Sequence, residues 1–447
     1  MSTLPNTLAA APLAESERLQ SLDTLRGVAL FGILLMNITG FGLPFAYGDP
    51  TNFGGATGAN LWAWITTNMV FEGTQRGLFS LLFGAGFVAL ATRRESAGSA
   101  DAADLHYRRM MLMVVFGMIH SYLLLWTGEI LFFYGVIGMF LYPLRKLAPR
   151  VLFTVAAIGF AISMIWTQGE RLSALAKHDK FAAARKITAA GGTLTKAQEE
   201  DKKAWQEFVS ERKPDAEKIK KKIDAHRGGY IGLVVHQAPE NAHGESWGVY
   251  RWFFDMFSMM LIGMALFRTG VLTLAQPSRV YWLMLLIGYS VGLSVNYWET
   301  RTIIDSGFAV FAYLQTDVTY DVGRVAMTLG HVGLLLLFCR SGYLSWLRNS
   351  LAAVGRMAFT NYISHSIICA LLFSGFGFGL YGKLERHQLY YVVFSIWLFQ
   401  LIASPIWLRH FQFGPLEWGW RSLTYLKKQP FQRNPAAESL IPEPAAQ

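Results

Sequence analysis

The feature that most constrains the fold is a series of long apolar segments separated by short polar loops. An α-helix needs about 20 apolar residues to cross a bilayer, and it satisfies all of its backbone polar groups internally. Two shorter apolar stretches, 61–71 and 307–314, predict re-entrant or interfacial segments. Ten longer segments predict transmembrane helices, at 24–43, 75–92, 108–126, 129–147, 150–167, 249–267, 280–298, 322–338, 351–373 and 389–408. We therefore predict an all-α polytopic membrane bundle of about ten transmembrane helices.

The charge content favours a membrane protein over a soluble one. Charged residues make up 16% of the chain, whereas soluble domains carry about 25%. The net charge of +10 would indicate nucleic-acid binding in a soluble protein, but here the basic residues lie in loops between apolar segments. We expect the lipid bilayer to surround the chain, and we expect no nucleic-acid partner.

The distribution of basic residues predicts the orientation of the bundle. With ten spans, the basic clusters all fall on one side, and the positive-inside rule makes that side cytoplasmic. Both termini are then cytoplasmic, and the Trp-Thr-Gly turn at 126–128 faces outward. The clusters occupy alternate loops and the C-terminal region: Arg93, Arg94, Arg108 and Arg109; Arg145, Lys146 and Arg150; Arg268 and Arg279; Arg340, Arg348 and Arg356; Arg421, Lys427, Lys428 and Arg433.

A long polar segment divides the chain into regions. Residues 168–247 are rich in Lys, Glu, Ala and Asp, with helical runs at 196–212 and 215–227 separated by Pro214. We predict that 168–247 is a periplasmic helical insert, either a solvated pair of helices that caps the outer face or a lid that docks substrate. The other predicted regions are an N-terminal membrane half at 1–167, a C-terminal membrane half at 248–425 and a disordered cytoplasmic tail at 426–447.

The hairpin at 118–134 carries the strongest candidates for chemistry. His120 lies just before the Trp-Thr-Gly turn and Glu129 just after it, inside an otherwise apolar region. Ionisable residues are costly in a membrane bundle, so they mark functional sites by default. Tyr134 lies at a depth similar to that of His120, so its hydroxyl is expected to face the imidazole. The alternative is a hydrogen-bonded histidine that only joins the two halves of the hairpin.

Two further polar sets lie within the apolar segments. Asp23, Arg26 and Asn37 share one face of the first predicted helix, with Asn37 roughly 16 Å beyond Arg26. This set is either an interfacial ion pair with a packing asparagine, or a polar path whose arginine meets a phosphate-bearing donor.

The second set lies in the ninth segment, where Arg356 precedes Asn361, Tyr362 and His365. We expect Arg356 to be a second phosphate contact, with Asn361 and Tyr362 lining a tunnel. His365 is expected to be a hydrogen-bonded histidine of the bundle. His226, His236 and His243 in the insert lack metal-binding spacing, so no metal is expected.

Several motifs carry a resemblance to a known family. These are 21–38 (SLDTLRGVALFGILLMNI), 78–84 (LFSLLFG), 117–120 (GMIH) with 128–131 (GEIL), 355–362 (GRMAFTNY) and 413–418 (FGPLEW) with Arg421. Their sequence and order resemble the YeiB-like membrane proteins, a domain of unknown function (418). The family usually has Asp where this chain has Glu129, which keeps the carboxylate but lengthens its side chain. The insert matches no family motif.

The resemblance implies a function, because the family is distantly grouped with transmembrane acyltransferases. These include heparan glucosaminide acetyltransferase and the bacterial acyltransferases (acyltransferase-3-like) that modify surface sugars. The resemblance thus implies a multi-pass enzyme of the bacterial inner (cytoplasmic) membrane that uses cytoplasmic acyl-CoA, most simply acetyl-CoA, to acylate an envelope sugar, lipid or small molecule.

The candidate residues can be assigned to that chemistry. His120 would be the general base or a covalent acyl carrier, and Glu129 would orient it. Arg26 and Arg356 would bind donor phosphates, with Asn37, Asn361 and Tyr362 along the path.

Two functions from other classes fit the same residues. A transporter of a small acidic or amphipathic solute would use the buried Arg, His and Glu as a substrate or proton path. A non-catalytic membrane protein would use the insert to dock an envelope partner. The sequence leaves open whether the chain acts as a monomer or a homodimer.

Overall fold

The described part of this computed structural model comprises residues 19–96 and 101–433. It is built from α-helices, and its single β contact is an isolated bridge between Phe411 and Gln432. The first six helices are α1 (Gln20–Gly42), α2 (Gly58–Val70), α3 (Thr74–Ser96), α4 (Ala102–Tyr122), α5 (Leu131–Met139) and α6 (Pro149–Ala189). The next four are α7 (Lys196–Arg212), α8 (Ala216–Arg227), α9 (Tyr230–His243) and α10 (Val249–Arg268).

The last seven helices complete the bundle. They are α11 (Ser278–Asp305), α12 (Val310–Thr316), α13 (Tyr320–Ser341), α14 (Ser345–Arg356), α15 (Ala358–Phe373), α16 (Arg386–His410) and α17 (Pro415–Tyr425). Within the described ranges, seven helices or helix pairs are long and apolar enough to cross a membrane: Gln20–Gly42, Gly58–Glu95, Pro149–Ala189, Tyr230–Arg268, Ser278–Asp305, Tyr320–Ser341 and Arg386–His410. The prediction of an all-α polytopic bundle is confirmed.

Three of the ten predicted spans are shorter or more polar than expected. The segment 129–147 contains only the nine residues of α5, followed by a 3₁₀ turn at Tyr142–Leu144. Nine helical residues cover about 13 Å, less than the thickness of a bilayer core. Pro143 lies in that turn and has no N–H to continue the α-helix. The predicted segment 108–126 lies largely in α4. Helix α15, which carries most of the predicted segment 351–373, has only 16 residues.

The ninth predicted segment, 351–373, is broken into α14 and α15 at Met357. The break is stabilised from outside, because the Glu417 carboxylate of α17 accepts bonds from the backbone N–H groups of Phe359 (2.6 Å) and Thr360 (3.0 Å). A carboxylate at a helix N-terminus satisfies donors that have no intrahelical partner. Tertiary contact with α17 therefore sets where α15 begins.

Two glycines bring α14 against α1. A Cβ atom at Gly27 would collide with the backbone carbonyl of Leu351, and one at Gly355 with that of Asp23. Small residues at helix crossings allow backbones to approach closely within membranes. The consequence is that Arg356, directly after Gly355, lies next to Asp23 and the start of α1.

The insert continues the membrane helices rather than forming a separate domain. The predicted span 150–167 is only the first part of α6, which runs for 41 residues to Ala189. The predicted runs 196–212 and 215–227 are helices α7 and α8, and Thr195 and Asp215 cap their N-termini. The Tyr230 hydroxyl of α9 donates to the Leu123 carbonyl (2.7 Å), so the insert covers the hairpin.

The predicted disordered tail at 426–447 begins too early. Gln412 N–H donates to the Phe431 carbonyl (3.0 Å), and the Trp418 indole donates to the Gln429 carbonyl (2.9 Å). These bonds hold the start of the tail against α16 and α17. Residues 434–447 lie outside the described residues.

Candidate active site

His120 is the centre of the candidate site. Its side chain has no solvent exposure and lies at the end of α4. The Nδ1 atom is 3.1 Å from Glu129 Oε1, and the Nε2 atom is 2.6 Å from the Ser366 hydroxyl oxygen. An ionised carboxylate only accepts hydrogen bonds, so Nδ1 donates to Glu129 and Nε2 is left to accept from Ser366. The three side chains form a Ser–His–Glu chain with the geometry of a nucleophile, a base and an orienting carboxylate.

Glu129 is fixed by the helix that follows it. Its Oε1 accepts from Leu131 N–H (2.6 Å) and its Oε2 accepts from Phe132 N–H (2.7 Å). These are the first N–H groups of α5, which have no intrahelical acceptor and carry the positive end of the helix dipole. The Trp-Thr-Gly turn thus places Glu129 where one carboxylate caps α5 and also bonds His120.

Ser366 is a site residue that the sequence prediction missed. It is buried in α15 one turn after Tyr362, so the two side chains share a helix face. That spacing is the signal that could have identified it, because Tyr362 was already a candidate. Serine is common in membrane helices as an interhelical hydrogen-bonding residue, so its position alone does not distinguish it.

The two candidate tyrosines have different surroundings. The ring of Tyr362 meets the His120 imidazole edge to face, with ring centroids 5.0 Å apart. The Tyr134 hydroxyl lies 2.8 Å from the Ser80 hydroxyl and donates to the Arg76 carbonyl at 3.4 Å. The expectation that Tyr134 faces the imidazole is therefore wrong, because α5 directs this side chain toward α3.

A cavity of about 650 Å³ lies beside the hydrogen-bonded series of Ser366, His120 and Glu129. We call it the arginine cavity, because six arginines form one end of its wall. They are Arg26, Arg93, Arg94, Arg109, Arg356 and Arg421. The other end is apolar and aromatic, and includes Phe79, Leu131, Tyr134 and Tyr362. The structure therefore brings four candidates to one cavity: Arg26, Tyr134, Arg356 and Tyr362. Arg93, Arg94 and Arg109 were predicted only as loop charges, and Arg421 as a charge of the C-terminal region and of a family motif.

The wall of the arginine cavity is strongly positive. Its two acidic residues are Asp23, which pairs with Arg26 at 2.6 Å, and Glu417, which caps α15. Burial and the neighbouring Arg109 guanidinium lower the pKa of Arg421 to about 10. Positive groups that repel one another inside a partly buried cavity form a site for an anion.

His120 does not line the arginine cavity. Tyr362 and Leu131 do, and the ring of Tyr362 separates the cavity from the imidazole that it contacts. Along α3, the arginine Arg93 and the apolar residue Phe79 are 14 positions apart in sequence. At 1.5 Å per helical residue the cavity is about 21 Å long.

Two of the candidate residues, Asn361 and Asn37, do not line the arginine cavity. Asn361 is buried and donates to the Val354 carbonyl (3.2 Å) and to Ser404 (3.1 Å), so it joins α14, α15 and α16. Asn37 is half-buried on α1 and absent from the cavity wall. The prediction that these two asparagines line the path is wrong, because the break at Met357 turns Asn361 toward α16.

His365 agrees with its expected role as a hydrogen-bonded histidine of the bundle. His365 Nε2 lies 3.0 Å from Gln400 Oε1. In the insert, the His226 ring stacks on Tyr381 with centroids 3.9 Å apart. Among the described residues, no three His, Cys, Asp or Glu side chains converge to hold a metal ion.

Apolar helices of membrane-spanning length, packed around a charged cavity, define a polytopic helical membrane protein. Within that class, the chain belongs to the family described as "Protein of unknown function (DUF418)", whose model matches residues 266–427. The predicted resemblance is confirmed.

Relatives extend the similarity over nearly the whole chain. The chain is 30% identical over 451 residues to the uncharacterized protein YxaH of Bacillus subtilis, with 94% of this chain and 98% of YxaH covered. It is 30% identical over 417 residues to the uncharacterized protein YeiB of Escherichia coli, with 91% and 96% covered. It is 26% identical over 433 residues to an uncharacterized 39.9 kDa protein of Bacillus acidopullulyticus, with 94% and 97% covered. No solved structure matches the chain.

Proposed function

We propose that this protein is an integral membrane acyltransferase that moves an acyl group, most simply acetyl, from acyl-CoA to an acceptor at the opposite face of the membrane. The single observation that supports this most strongly is the arginine cavity, whose apolar end lies against the chain formed by Ser366, His120 and Glu129. The acceptor class is an envelope sugar, lipid or small molecule, and the setting is the bacterial inner membrane.

The arginine cavity has the charge pattern of a site for coenzyme A. The donor carries a pyrophosphate and a ribose phosphate at one end and a neutral pantetheine arm with its thioester at the other. Arg26, Arg356 and Arg421 would bind the phosphates through bidentate hydrogen bonds. The arm would extend along the apolar part of the cavity toward Tyr362, which would swing aside to admit the thioester to His120.

His120 is assigned the role of general base because its Nε2 is the unprotonated nitrogen that accepts a hydrogen bond from the Ser366 hydroxyl. The hydroxyl that it deprotonates is either the acceptor's own or that of Ser366. We favour Ser366, since its oxygen already lies 2.6 Å from Nε2. An acyl-histidine is disfavoured, because Ser366 occupies the atom that would carry the acyl group.

The route through Ser366 has two halves, acylation of the serine and transfer of the acyl group to the acceptor. The serine oxygen attacks the thioester carbonyl carbon while His120 takes the hydroxyl proton. The carbon–sulfur bond breaks, and protonated His120 gives its proton to the CoA thiolate. An acceptor hydroxyl or amine then attacks the acyl-serine, His120 takes the acceptor's proton, and that proton returns to the Ser366 oxygen. Glu129 stabilises the imidazolium in both halves.

The acceptor would arrive from the side that carries the insert. A small second cavity of about 40 Å³ lies between the hairpin turn and the insert, with Trp126, Gln237 and Lys222 in its wall. The Asn241 amide of the insert donates to the Ser121 carbonyl (2.9 Å), next to His120. The insert is therefore assigned the role of a cover that must move for the acceptor to enter.

The test is release of CoA thiol by the full chain in lipid nanodiscs supplied with acetyl-CoA and a pool of envelope sugars and lipids. We expect acceptor-dependent release that falls at least about 100-fold in His120→Ala and Ser366→Ala. The matched control is His331→Gln, which changes another buried histidine, on α13, that packs against Phe71 and Tyr289.

Mass spectrometry of the enzyme separates the two routes. An acyl group on the peptide that contains Ser366 supports the serine route, and its absence during rapid turnover supports direct transfer to the acceptor. Full activity in a folded His120→Ala variant would overturn the mechanism. Uptake of an unchanged solute without thiol release would favour a transporter.

A further inference from the structure

A separate cavity of about 160 Å³ lies at the other end of α3 from the arginine cluster. Its wall is formed by α2, α11, α12 and α13 together with the end of α1. Glu72 precedes α3 and lines this cavity, whereas Arg93 and Arg94 lie in the last turns of that helix. Residues of the insert approach the same end, since Lys213 forms an ion pair with Asp49. We call this the aromatic–acidic cavity.

Hydrogen-bond donors in its wall are already used within the protein. The Trp64 indole and the Tyr313 hydroxyl both donate to the Gly48 carbonyl, at 3.0 and 3.3 Å. Asn68 donates to Thr300 (2.9 Å) and Asn296 donates to the Met69 carbonyl (2.7 Å). A ligand that needs many donors, such as an anion, finds few of them here.

Arg324, the one arginine in the wall of this cavity, is also paired with groups of the protein. Its guanidinium pairs with Asp255 and Asp321, and its side chain is almost fully buried. The Glu72 carboxylate accepts a bond from Tyr320 at 3.4 Å. Arg324 is therefore neutralised by carboxylates and leaves no positive charge for an anionic ligand.

Acceptor groups remain available in the wall. Glu299 accepts one bond, from the Thr319 hydroxyl (2.6 Å), and forms no ion pair with a described residue. Asp317 lies exposed at the opening, where the Arg212 and Arg251 guanidinium groups are its electrostatic neighbours, and within the described ranges it forms no ion pair at bonding distance. Glu299 is buried, so its charge requires compensation by a ligand or a proton.

Aromatic rings surround these carboxylates. Trp64, Tyr313, Tyr320 and Tyr47 all line the cavity. The bonds of Trp64 and Tyr313 to a single carbonyl fix the two side chains in the wall of the cavity. Aromatic rings around a negative site attract a positive ligand through the ring quadrupole, and such cages recognise organic ammonium groups.

The same cavity does not suit a metal ion. Glu72, Glu299 and Asp317 all line it, yet no three acidic or histidine side chains among the described residues converge to coordinate one ion. A volume of about 160 Å³ exceeds the roughly 30 Å³ of a water molecule several-fold. The space therefore fits an organic group of a few heavy atoms.

We propose that the aromatic–acidic cavity binds a small organic ammonium ion, held by Glu299 and Asp317 and enclosed by the rings of Trp64, Tyr313 and Tyr320. The ligand would enter from the side of the molecule that carries the insert. This binding does not depend on the acyltransferase proposal, so either can fail alone.

The test compares two molecules of the same shape. Choline carries a trimethylammonium group, and 3,3-dimethylbutan-1-ol replaces that nitrogen by carbon and is neutral. Titration calorimetry on the full chain in nanodiscs, with empty nanodiscs as the blank, measures both, and ethanolamine serves as a primary ammonium probe. We expect choline or ethanolamine to bind at least about tenfold more tightly than the neutral alcohol.

A double variant and a control locate the binding. Glu299→Gln keeps an oxygen for the Thr319 hydroxyl but removes the charge, and with Asp317→Asn it should weaken ammonium binding at least about tenfold. Asp305→Asn is the matched control, because Asp305 lies exposed on the same helix as Glu299 and pairs with Arg301. Equal binding of the alcohol, no binding of either ammonium ion, or unchanged affinity in the double variant would each overturn the proposal.

Discussion

Glu129→Gln tests the geometry of the hairpin most directly. The Glu129 carboxylate accepts three bonds, from Leu131 N–H, from Phe132 N–H and from His120 Nδ1. An amide has one oxygen, so in either orientation its NH₂ group must face at least one backbone N–H donor. The substitution therefore leaves a buried donor without an acceptor and removes the charge from the remaining bonds.

The size of the effect follows from these contacts. An unsatisfied buried donor costs about 1–3 kcal/mol, and bonds to charged groups contribute about 1.5–3 kcal/mol each. Because the three bonds share one carboxylate, their contributions do not add fully. We expect Glu129→Gln to lower the free energy of unfolding by about 3 kcal/mol. The corresponding change in melting temperature is about 3 °C, because a chain of 447 residues has a large entropy of unfolding.

Thermal unfolding followed by tryptophan fluorescence measures this change, since the chain has 14 tryptophans. Glu129→Asp keeps the charge and a good capping group, so its stability should stay within about 1 kcal/mol of the parent protein. Glu95→Gln is a surface control that breaks a half-exposed ion pair with Arg145, and about 0–1 kcal/mol is expected. A Glu129→Gln protein that melts with the parent, or an Asp variant as unstable as the Gln variant, would refute the reasoning.

Three further predictions follow from other contacts. Arg421→Gln should weaken acetyl-CoA binding about tenfold in a calorimetric titration, because it removes one positive group of the arginine cavity. Gly355→Ala should lower thermal stability by about 1–3 kcal/mol as its Cβ meets the Asp23 carbonyl, whereas Gly419→Ala, with open space around it, should change little. Burial lowers the pKa of His226 to about 4, below the usual value near 6.5. Protonation therefore favours the undocked insert, so its protection from hydrogen exchange should decline as the pH falls from about 6.5 to 4, and His226→Gln should remove that dependence.

The candidate site shows what spacing can and cannot predict. His120 and Glu129 flank a short turn, so their meeting follows from local geometry. Tyr134 has a similar depth, yet it bonds Ser80, because depth along a helix does not fix the direction of a side chain. Ser366 lies 246 residues from His120 and reaches it only through the packing of α15 against α4.

The sequence alone determined the class of the fold. Apolar segments of bilayer length must form helices, since a membrane offers no other partner for the backbone, and this holds whatever the neighbours are. It also determined the family, because the motifs lie in order along the chain, and it determined the local pairing across the His120 hairpin.

The tertiary structure decided which polar residues share a cavity. Six arginines from α1, α3, α4, α14 and α17 meet at one end of it, although they are spread from position 26 to position 421. Asn37 and Asn361, which the same pattern selected, lie elsewhere. For Asn361 the reason is the break at Met357, which depends on Glu417, a residue 60 positions further along the chain. Helix period and hydropathy fix only what each helix buries, whereas the neighbour it buries against is set by packing between distant segments.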